Sequence, residues 1–144
     1  MEFKVVFPEQ KTNSHKVNVQ FTNFEVMTDQ PASYGGENTQ PAPYMMFLSS
    51  IASCSGWFLL RFLETRNIPL DGIELVMNTV TDKQNHRLTD VVMSLKLPDS
   101  FPAKYYNAAL ASVQQCSVSK TILSPPRFGS QVVVNDNIVL QKSS

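Results

Sequence analysis

The stretch that decides the fold is PAPYMMFLSSIASCSGWFLL, residues 41–60, which contains no charged residue. Its apolar side chains cover most of the circumference of a helix. We expect this helix to begin near Pro43 and to end before Asn67, because Pro69 disfavours helix at the residue before it. A helix that is apolar nearly all round is buried on more than one side. A sheet can cover one side, and a partner subunit is the obvious cover for the other.

The same stretch has to be weighed as a membrane span. A span needs about 20 predominantly apolar residues, whereas proline, serine or glycine interrupts this run every few residues. We therefore expect a buried core helix and no membrane insertion. The N-terminal residues MEFKVVFPEQK have no basic segment followed by an apolar core, so we expect no secretory signal and a cytoplasmic location.

Alternating segments on both sides of this helix predict antiparallel sheet. FKVVF, KVNVQF and FEVMT precede the helix, and IELVMNTV and LTDVVMSLKL follow it around the polar hairpin DKQNHR. A second helix is expected from Asp99 to Leu123, and QVVVNDNIVL supplies a last strand or hairpin. Between the third strand and the first helix, the long loop Asp29–Gln40 is of a length that is often functional.

The element order βββ-α-ββ-α-β predicts a single α+β domain over residues 1–144, with antiparallel sheets and two central helices. The chain has 42% hydrophobic and 17% charged residues, and its 12 basic and 12 acidic side chains give a net charge of zero. This balance argues against nucleic acid and against an anionic membrane surface as partners. The low charge content favours an oligomer.

The two cysteines, Cys54 and Cys116, are the residues with the clearest chemical potential. Cys54 lies in the first predicted helix, and Cys116 falls on an apolar stripe of the second with Ala109 and Val113. A thiol that reduces peroxides needs a lowered pKa and a second thiol to resolve the sulfenic acid. The residues alone favour the simpler interpretation, in which both cysteines are small buried hydrophobes.

Other kinds of site find less support. His15 and His86 have no zinc-ligand spacing with the cysteines or with each other, and Gly35-Gly36 is too short for a phosphate loop. We therefore expect no metal and no cofactor. The serines of the first helix are expected to bond back to helix carbonyls or to permit close packing.

Two motifs resemble those of the OsmC/Ohr family of thiol-dependent hydroperoxide reductases. The first is PAPYMMFLSSIASCSGWFLLRFLETRNIPLDGIEL, with its proline, hydrophobic run, small residues and cysteine, and the second is CSVSKTIL. The resemblance implies an intertwined homodimer with two central helices and an active site at the interface. It also implies that Cys54 attacks an organic hydroperoxide, that Cys116 resolves the product as a disulfide, and that a thiol or dithiol donor restores the pair in oxidative-stress defence.

The sequence departs from the pattern of that family at two points. Tyr44 follows Pro43 where a glutamate is expected, and no arginine precedes Arg61. Lys4, Lys11, Lys16 or His15 could take the place of the cation, and Glu37 that of the carboxylate. The alternative is a non-catalytic relative that binds an apolar small molecule in the dimer pocket. A purely structural or partner-binding protein is a third possibility.

Overall fold

The computed structural model describes residues 1–8 and 15–143. The helices are α1 (Pro43–Glu64), α2 (Tyr106–Val113) and α3 (Ser117–Leu123), with short 3₁₀ turns at Ala32–Tyr34 and Ala103–Tyr105. The strands are β1 (Lys4–Val6), β2 (Val17–Phe21), β3 (Phe24–Thr28), β4 (Glu74–Asp82), β5 (Arg87–Lys96), β6 (Gly129–Val134) and β7 (Asn137–Ser143). The predicted class, α+β with antiparallel sheets, is confirmed. The chain divides into two compact units, Met1–Ser53 and Cys54–Ser144.

In the first unit, β1, β2 and β3 form an antiparallel meander in that order. Val19 of β2 pairs with Val5 of β1 and with Val26 of β3. The Phe21 ring lies 4.9 Å from the Phe3 ring and 6.0 Å from the Phe24 ring, centroid to centroid. β-branched and aromatic side chains at cross-strand positions stabilise such a small sheet.

Helix α1 begins at Pro43, as expected, because the fixed φ of proline suits the first helical position. It ends in a Schellman motif, in which the Ile68 N–H donates to the Leu63 carbonyl and the Asn67 N–H to the Glu64 carbonyl. Asn67 takes a left-handed conformation with φ of 52°. Pro69 follows, so the helix cannot continue.

The second unit has a hydrophobic core between the C-terminal half of α1, the β4–β5 hairpin and α2. Leu75 pairs with Leu95 and Met77 with Met93, so the expected apolar faces of these two strands coincide. The fully buried members of the core are Leu59, Phe62, Leu63, Phe101, Ala109 and Val113.

One expectation about the C-terminal region is corrected, and the other, a last strand or hairpin, is confirmed as a hairpin. The stretch from Asp99 to Leu123 does not form one helix, because the chain breaks between α2 and α3 at residues 114–116. The described residues therefore contain three α-helices, where the sequence predicted two. The last predicted element is a hairpin of two strands, β6 and β7, joined by Asn135 and Asp136 with φ of 48° and 61°. Positive φ at both turn positions is typical of a type I′ turn.

Helix α1 is less buried within one chain than its composition predicts. Leu59, Phe62 and Leu63 are buried, whereas Phe47 and Trp57 are exposed. By length and composition α1 could cross a membrane, and 33% of its most apolar window is buried in the chain. The strands β6 and β7 are exposed along their whole described length.

Candidate functional site

The structure brings the side chains of Cys54 and Cys116 together within the second unit. Cys54 lies on α1, two turns before the buried Phe62, and is half-buried. Cys116 comes from the break between α2 and α3 and is fully buried. The Cys54 side chain lies close enough to the Cys116 sulfur to lower the pKa of that thiol. Sixty-two positions of sequence separate the two residues, so tertiary packing brings them together, with α1 and α2 sharing one hydrophobic core.

The apolar stripe predicts that Cys116 lies within the second helix. In the structure Cys116 instead caps the N-terminus of α3. The stripe is nevertheless buried, since Ala109, Val113 and Cys116 all have 3% of their surface exposed or less. Residues 114 and 115 close the end of α2, and Cys116 then takes a non-helical conformation with φ of −47° and ψ of 117°. Its sulfur accepts a hydrogen bond of 3.3 Å from the Ser119 N–H, at the third position of α3.

Several donors converge on the Cys116 sulfur. Burial raises the pKa of this thiol, but hydrogen bonds from the Ser119 hydroxyl and N–H and from the Cys54 and Ser55 side chains outweigh it. The net result lowers the pKa of Cys116 to about 7. Hydrogen bonds to a thiolate favour the charged form, so a fraction of the Cys116 side chains is ionised at neutral pH.

Ser55 and Ser119 are the residues that sequence reasoning missed. The expectation that helix serines bond back to carbonyls is confirmed for Ser49 and Ser50, which donate to the carbonyls of Met45 and Phe47. Ser55 is different because it is 1% exposed and reaches Cys116. For Ser119 the sequence carries no signal, since a cysteine followed three positions later by a serine is not a capping box.

Some side chains were suggested as replacements for the arginine and glutamate that the family pattern expects. Those that the structure describes lie in the first unit. Lys16 and Glu37 form an ion pair with each other, and the Glu37 carboxylate favours the charged Lys16 and raises its pKa. Lys4 is exposed on β1, and Lys11 lies outside the described residues. Ser119, Cys54 and Ser55, which lower the pKa of Cys116, are uncharged donors.

The loop after β3 is organised by a buried carboxylate. Asp29 is 1% exposed and accepts hydrogen bonds from the N–H groups of Gln30, Glu37 and Thr39 and from the Thr39 hydroxyl, at 2.8 to 3.2 Å. Together these hydrogen bonds lower the pKa of Asp29, and the bond from the Thr39 N–H has the largest effect. Gly36 lies so close to the Gln30 carbonyl that any side chain at this position would collide with it. These contacts give the long loop a fixed shape.

No group of three or more histidine, cysteine, aspartate or glutamate side chains in residues 1–8 and 15–143 is arranged to hold a metal ion. His86 lies exposed in the turn between β4 and β5, and the His15 ring lies against Gly35, close to where a side chain there would begin.

Solved structures share this fold at low sequence identity. A protein from Psychrobacter arcticus 273-4, provisionally described as an osmotic stress induced and detoxification response protein, aligns with a TM-score of 0.65 at 18% identity, over 83% of this chain and 85% of that one. An OsmC-like protein from Mycoplasma pneumoniae aligns with a TM-score of 0.62 at 11% identity, over 86% and 87% of the two chains. An OsmC-like protein of unknown function from Vibrio cholerae aligns with a TM-score of 0.59 at 10% identity, over 83% and 91%.

No curated protein sequence matches the chain significantly. The sequence model of the OsmC-like proteins, in contrast, matches residues 36–130, which include α1, the β4–β5 hairpin and both cysteines. This match extends over more than half of the sequence, and the three solved structures share the arrangement of the elements. The chain therefore belongs to the OsmC-like protein family.

Proposed function

We propose that this protein is a thiol-dependent peroxide reductase of the two-cysteine type that reduces organic hydroperoxides. The observation that carries the proposal is the contact between the Cys54 and Cys116 side chains. A disulfide requires Cβ atoms about 4 Å apart, so the two residues have to be brought together by the fold. Membership of the OsmC-like family and the detoxification description of the Psychrobacter structure agree with this chemistry.

The two thiols take different roles in the proposed reaction. The Cys54 sulfur attacks the terminal peroxide oxygen, the O–O bond breaks, and the alcohol leaves with one proton. Cys54 is then a sulfenic acid, and the Cys116 sulfur displaces its hydroxide, which leaves as water. The peroxide is reduced by two electrons, and the two thiols are oxidised to one disulfide. A thiol or dithiol reductant returns the disulfide to two thiols.

Half-buried Cys54 is the better choice for the attacking thiol because the peroxide has to reach it. Cys116 is fully buried and has no surface through which a hydroperoxide enters. The proposed protein is a cytoplasmic homodimer, in which the partner covers the exposed apolar residues of α1. Proteins of this family are generally dimers.

Thiol counting tests the proposal directly. The fully reduced protein is mixed with one equivalent of an organic hydroperoxide such as cumene hydroperoxide, and the remaining thiols and peroxide are measured over time. We expect both thiols to disappear together at a rate far above that of free cysteine. Cys54→Ser should consume no peroxide, and Cys116→Ser should stop at the sulfenic acid of Cys54. If both thiols of the wild-type protein remain after the hydroperoxide is added, the protein is not a peroxide reductase.

A second candidate function is the binding of an apolar small molecule without turnover. A depression of about 260 Å³ in the second unit favours it. Apart from Gly56, the residues that line it have apolar side chains: Leu59, Leu60, Leu63, Leu70, Ile73 and Leu75. Titration with a fluorescent fatty acid tests this candidate. Tight binding that is unchanged in Cys54→Ser, together with no peroxide consumption, would favour it over the reductase.

A further inference from the structure

The second unit has a cleft beyond the C-terminal end of α1, between the segment that follows this helix and the segment that leads into α2. Its volume is about 440 Å³, which is within the range of small-molecule sites in proteins. Cys54 lies ten positions before Glu64, the last residue of α1, and is therefore about 15 Å from that end along the helix axis. Among the described residues, the cleft shares none of its lining with the apolar depression along α1.

Most of the wall of this cleft is apolar and conformationally fixed. On one side, the Ile68 N–H donates to the Leu63 carbonyl at 3.0 Å and closes the end of α1. On the other side, the Phe101 N–H closes a turn onto the Pro98 carbonyl at 2.9 Å. Because proline has a fixed φ, a lining with three prolines is already formed before a ligand arrives. The apolar part of the lining consists of Ile68, Pro69, Pro98, Phe101, Pro102 and Tyr105.

Two cations, Arg66 and Lys104, also line the cleft. The Arg66 guanidinium lies 3.9 Å from the centre of the Phe62 ring and 5.7 Å from the centre of the Tyr105 ring. The Lys104 ammonium lies 4.9 Å from the centre of the Tyr105 ring. Both charges are thus gathered around one aromatic side chain. Like charges repel, and an anion in the cleft lessens this repulsion.

Arg66 is held in place and still has donors to offer. Its Nη1 donates to the Phe62 carbonyl at 3.2 Å and to the Thr65 hydroxyl at 3.1 Å. A guanidinium has five N–H donors in a fork that fits a carboxylate. Within residues 1–8 and 15–143, neither Arg66 nor Lys104 forms an ion pair. A carboxylate ligand therefore meets an ordered guanidinium whose charge is not already paired in this part of the chain.

The charge of the lining indicates the charge of the ligand. The cleft is also lined by one carboxylate, that of Asp71. Together with Arg66 and Lys104, it leaves one net positive charge. A ligand with a single negative charge balances this excess, whereas a dianion adds repulsion from Asp71.

We propose that this cleft binds a monocarboxylate with an apolar body. Arg66 and Lys104 hold the carboxylate, and the apolar body lies against Tyr105 and the prolines. The site uses neither thiol, so it does not depend on whether the protein reduces peroxides.

Titration of the ¹⁵N-labelled protein with 2-naphthoate, followed by NMR, tests the proposal. This probe has one carboxylate on an apolar double ring, and 2-naphthylmethanol is its uncharged counterpart. We expect the amide signals of residues 66–71 and 100–105 to shift with 2-naphthoate. We expect 2-naphthylmethanol to bind at least about fivefold more weakly, since hydrogen bonds to charged groups are the stronger ones.

Three results of this titration would overturn the proposal. The first is the absence of binding at millimolar 2-naphthoate. The second is equal affinity for the two probes. The third is a set of shifts confined to residues of the depression along α1, such as Leu60 and Leu75.

Lys104→Met removes one of the two charges and keeps the length of the side chain. It should weaken the binding of 2-naphthoate at least about fivefold and leave that of 2-naphthylmethanol nearly unchanged. Lys83→Met is the matched control, because Lys83 lies exposed in the β4–β5 turn, at the opposite end of the hairpin from Pro98. Equal weakening in both variants would mean that only the net charge of the protein matters, which would contradict the site.

Two more variants separate the cleft from the thiols. Arg66→Lys keeps the charge and loses the fork, so it should also weaken 2-naphthoate binding. Unchanged binding in both Arg66→Lys and Lys104→Met would overturn the proposal. Cys54→Ser should bind 2-naphthoate as the wild-type protein does, whatever its effect on peroxide reduction. Loss of binding in Cys54→Ser would place the probe at the thiols and contradict the proposed cleft.

Discussion

At the scale of single residues, the behaviour of Cys116 depends on the uncharged groups that contact it. Burial alone raises the pKa of a thiol. Here donors from Ser119, Cys54 and Ser55 outweigh that effect and lower the pKa of Cys116 to about 7. The side-chain donors can be removed singly by substitution, so their contributions are open to measurement.

Ser55→Ala tests one of these donors. We expect the thiolate of Cys116 to appear at higher pH, since a hydrogen bond that favours the charged form is lost. The loss of one buried hydrogen bond should lower the free energy of unfolding by about 1 kcal/mol. Ser49→Ala is the matched control, because the Ser49 hydroxyl bonds to the Met45 carbonyl on the exposed face of the same helix. An equal pH shift in both variants would contradict the assignment of Ser55.

Asp29→Asn tests the carboxylate that organises the loop after β3. The folded state lowers the pKa of Asp29, so its contribution to stability is present above the ordinary value of about 3.9 and is lost as pH falls through the folded value. We expect the variant to melt at a lower temperature than the wild-type protein at pH 7. The difference should shrink as the pH falls below about 4.

Thermal unfolding followed by circular dichroism at several pH values provides this measurement. Glu25→Gln is a suitable control, since Glu25 accepts its hydrogen bond from Asn18 in an exposed position. A melting difference for Asp29→Asn that stays constant from pH 7 to pH 3 would show that the charge of the carboxylate has no part in the stabilisation.

At the scale of elements, α1 is the support of the candidate site. Its C-terminal half is fixed by the core, in which Leu63 is 1% exposed and Leu59 is 5% exposed. This anchoring fixes the rotation of the helix about its axis, and the rotation in turn points Cys54 and Ser55 at the end of α2. The geometry of the thiols therefore depends on side chains that do not contact them.

Leu63→Ala should destabilise the protein by about 2 to 5 kcal/mol, since it leaves a cavity in a packed core. Leu123→Ala is the matched control, because Leu123 lies at the end of α3 with 84% of its surface exposed. We expect the control to change the free energy of unfolding by less than about 0.5 kcal/mol. Urea denaturation of both variants measures the two free energies of unfolding. A similar decrease in both variants would contradict the packing described for α1.

At the scale of the whole molecule, the apolar surface left exposed by one chain is the outstanding feature. It includes Trp57 on α1 and both strands of the β6–β7 hairpin, with Val133 49% and Leu140 52% exposed. Exposed apolar patches larger than a few hundred Å² mark interaction surfaces. The predicted homodimer accounts for this surface.

Sedimentation equilibrium at micromolar concentration should give twice the mass of one chain. Leu140→Lys should weaken the dimer at least about tenfold, because a charge would replace an apolar side chain at the contact. Gln141→Lys, at the next position of the same strand and on its opposite face, should leave the dimer nearly unchanged. A wild-type protein that sediments as a monomer would contradict the dimer.

The sequence by itself determined the elements whose causes are local. Pro43 located the start of α1, and Pro69 predicted its end only as a limit that the helix does not reach. Period-two alternation located β4 and β5 and their inward faces, Leu75 and Leu95 among them. The resemblance to the OsmC/Ohr family followed from two motifs and agrees with the family match over residues 36–130. Local backbone preference and hydrophobic periodicity can be recognised in a single sequence because they act between residues a few positions apart.

Only the tertiary structure decided the break before α3, the role of Cys116 as its cap, and the donors around that sulfur. The periodicity of residues 99–123 is compatible with one continuous helix, so the kink depends on how α2 packs. The contact between Cys54 and Cys116 and the approach of Ser55 join residues about 60 positions apart. Contacts of this kind leave no pattern in a single sequence, because packing of distant segments creates them and local preference does not.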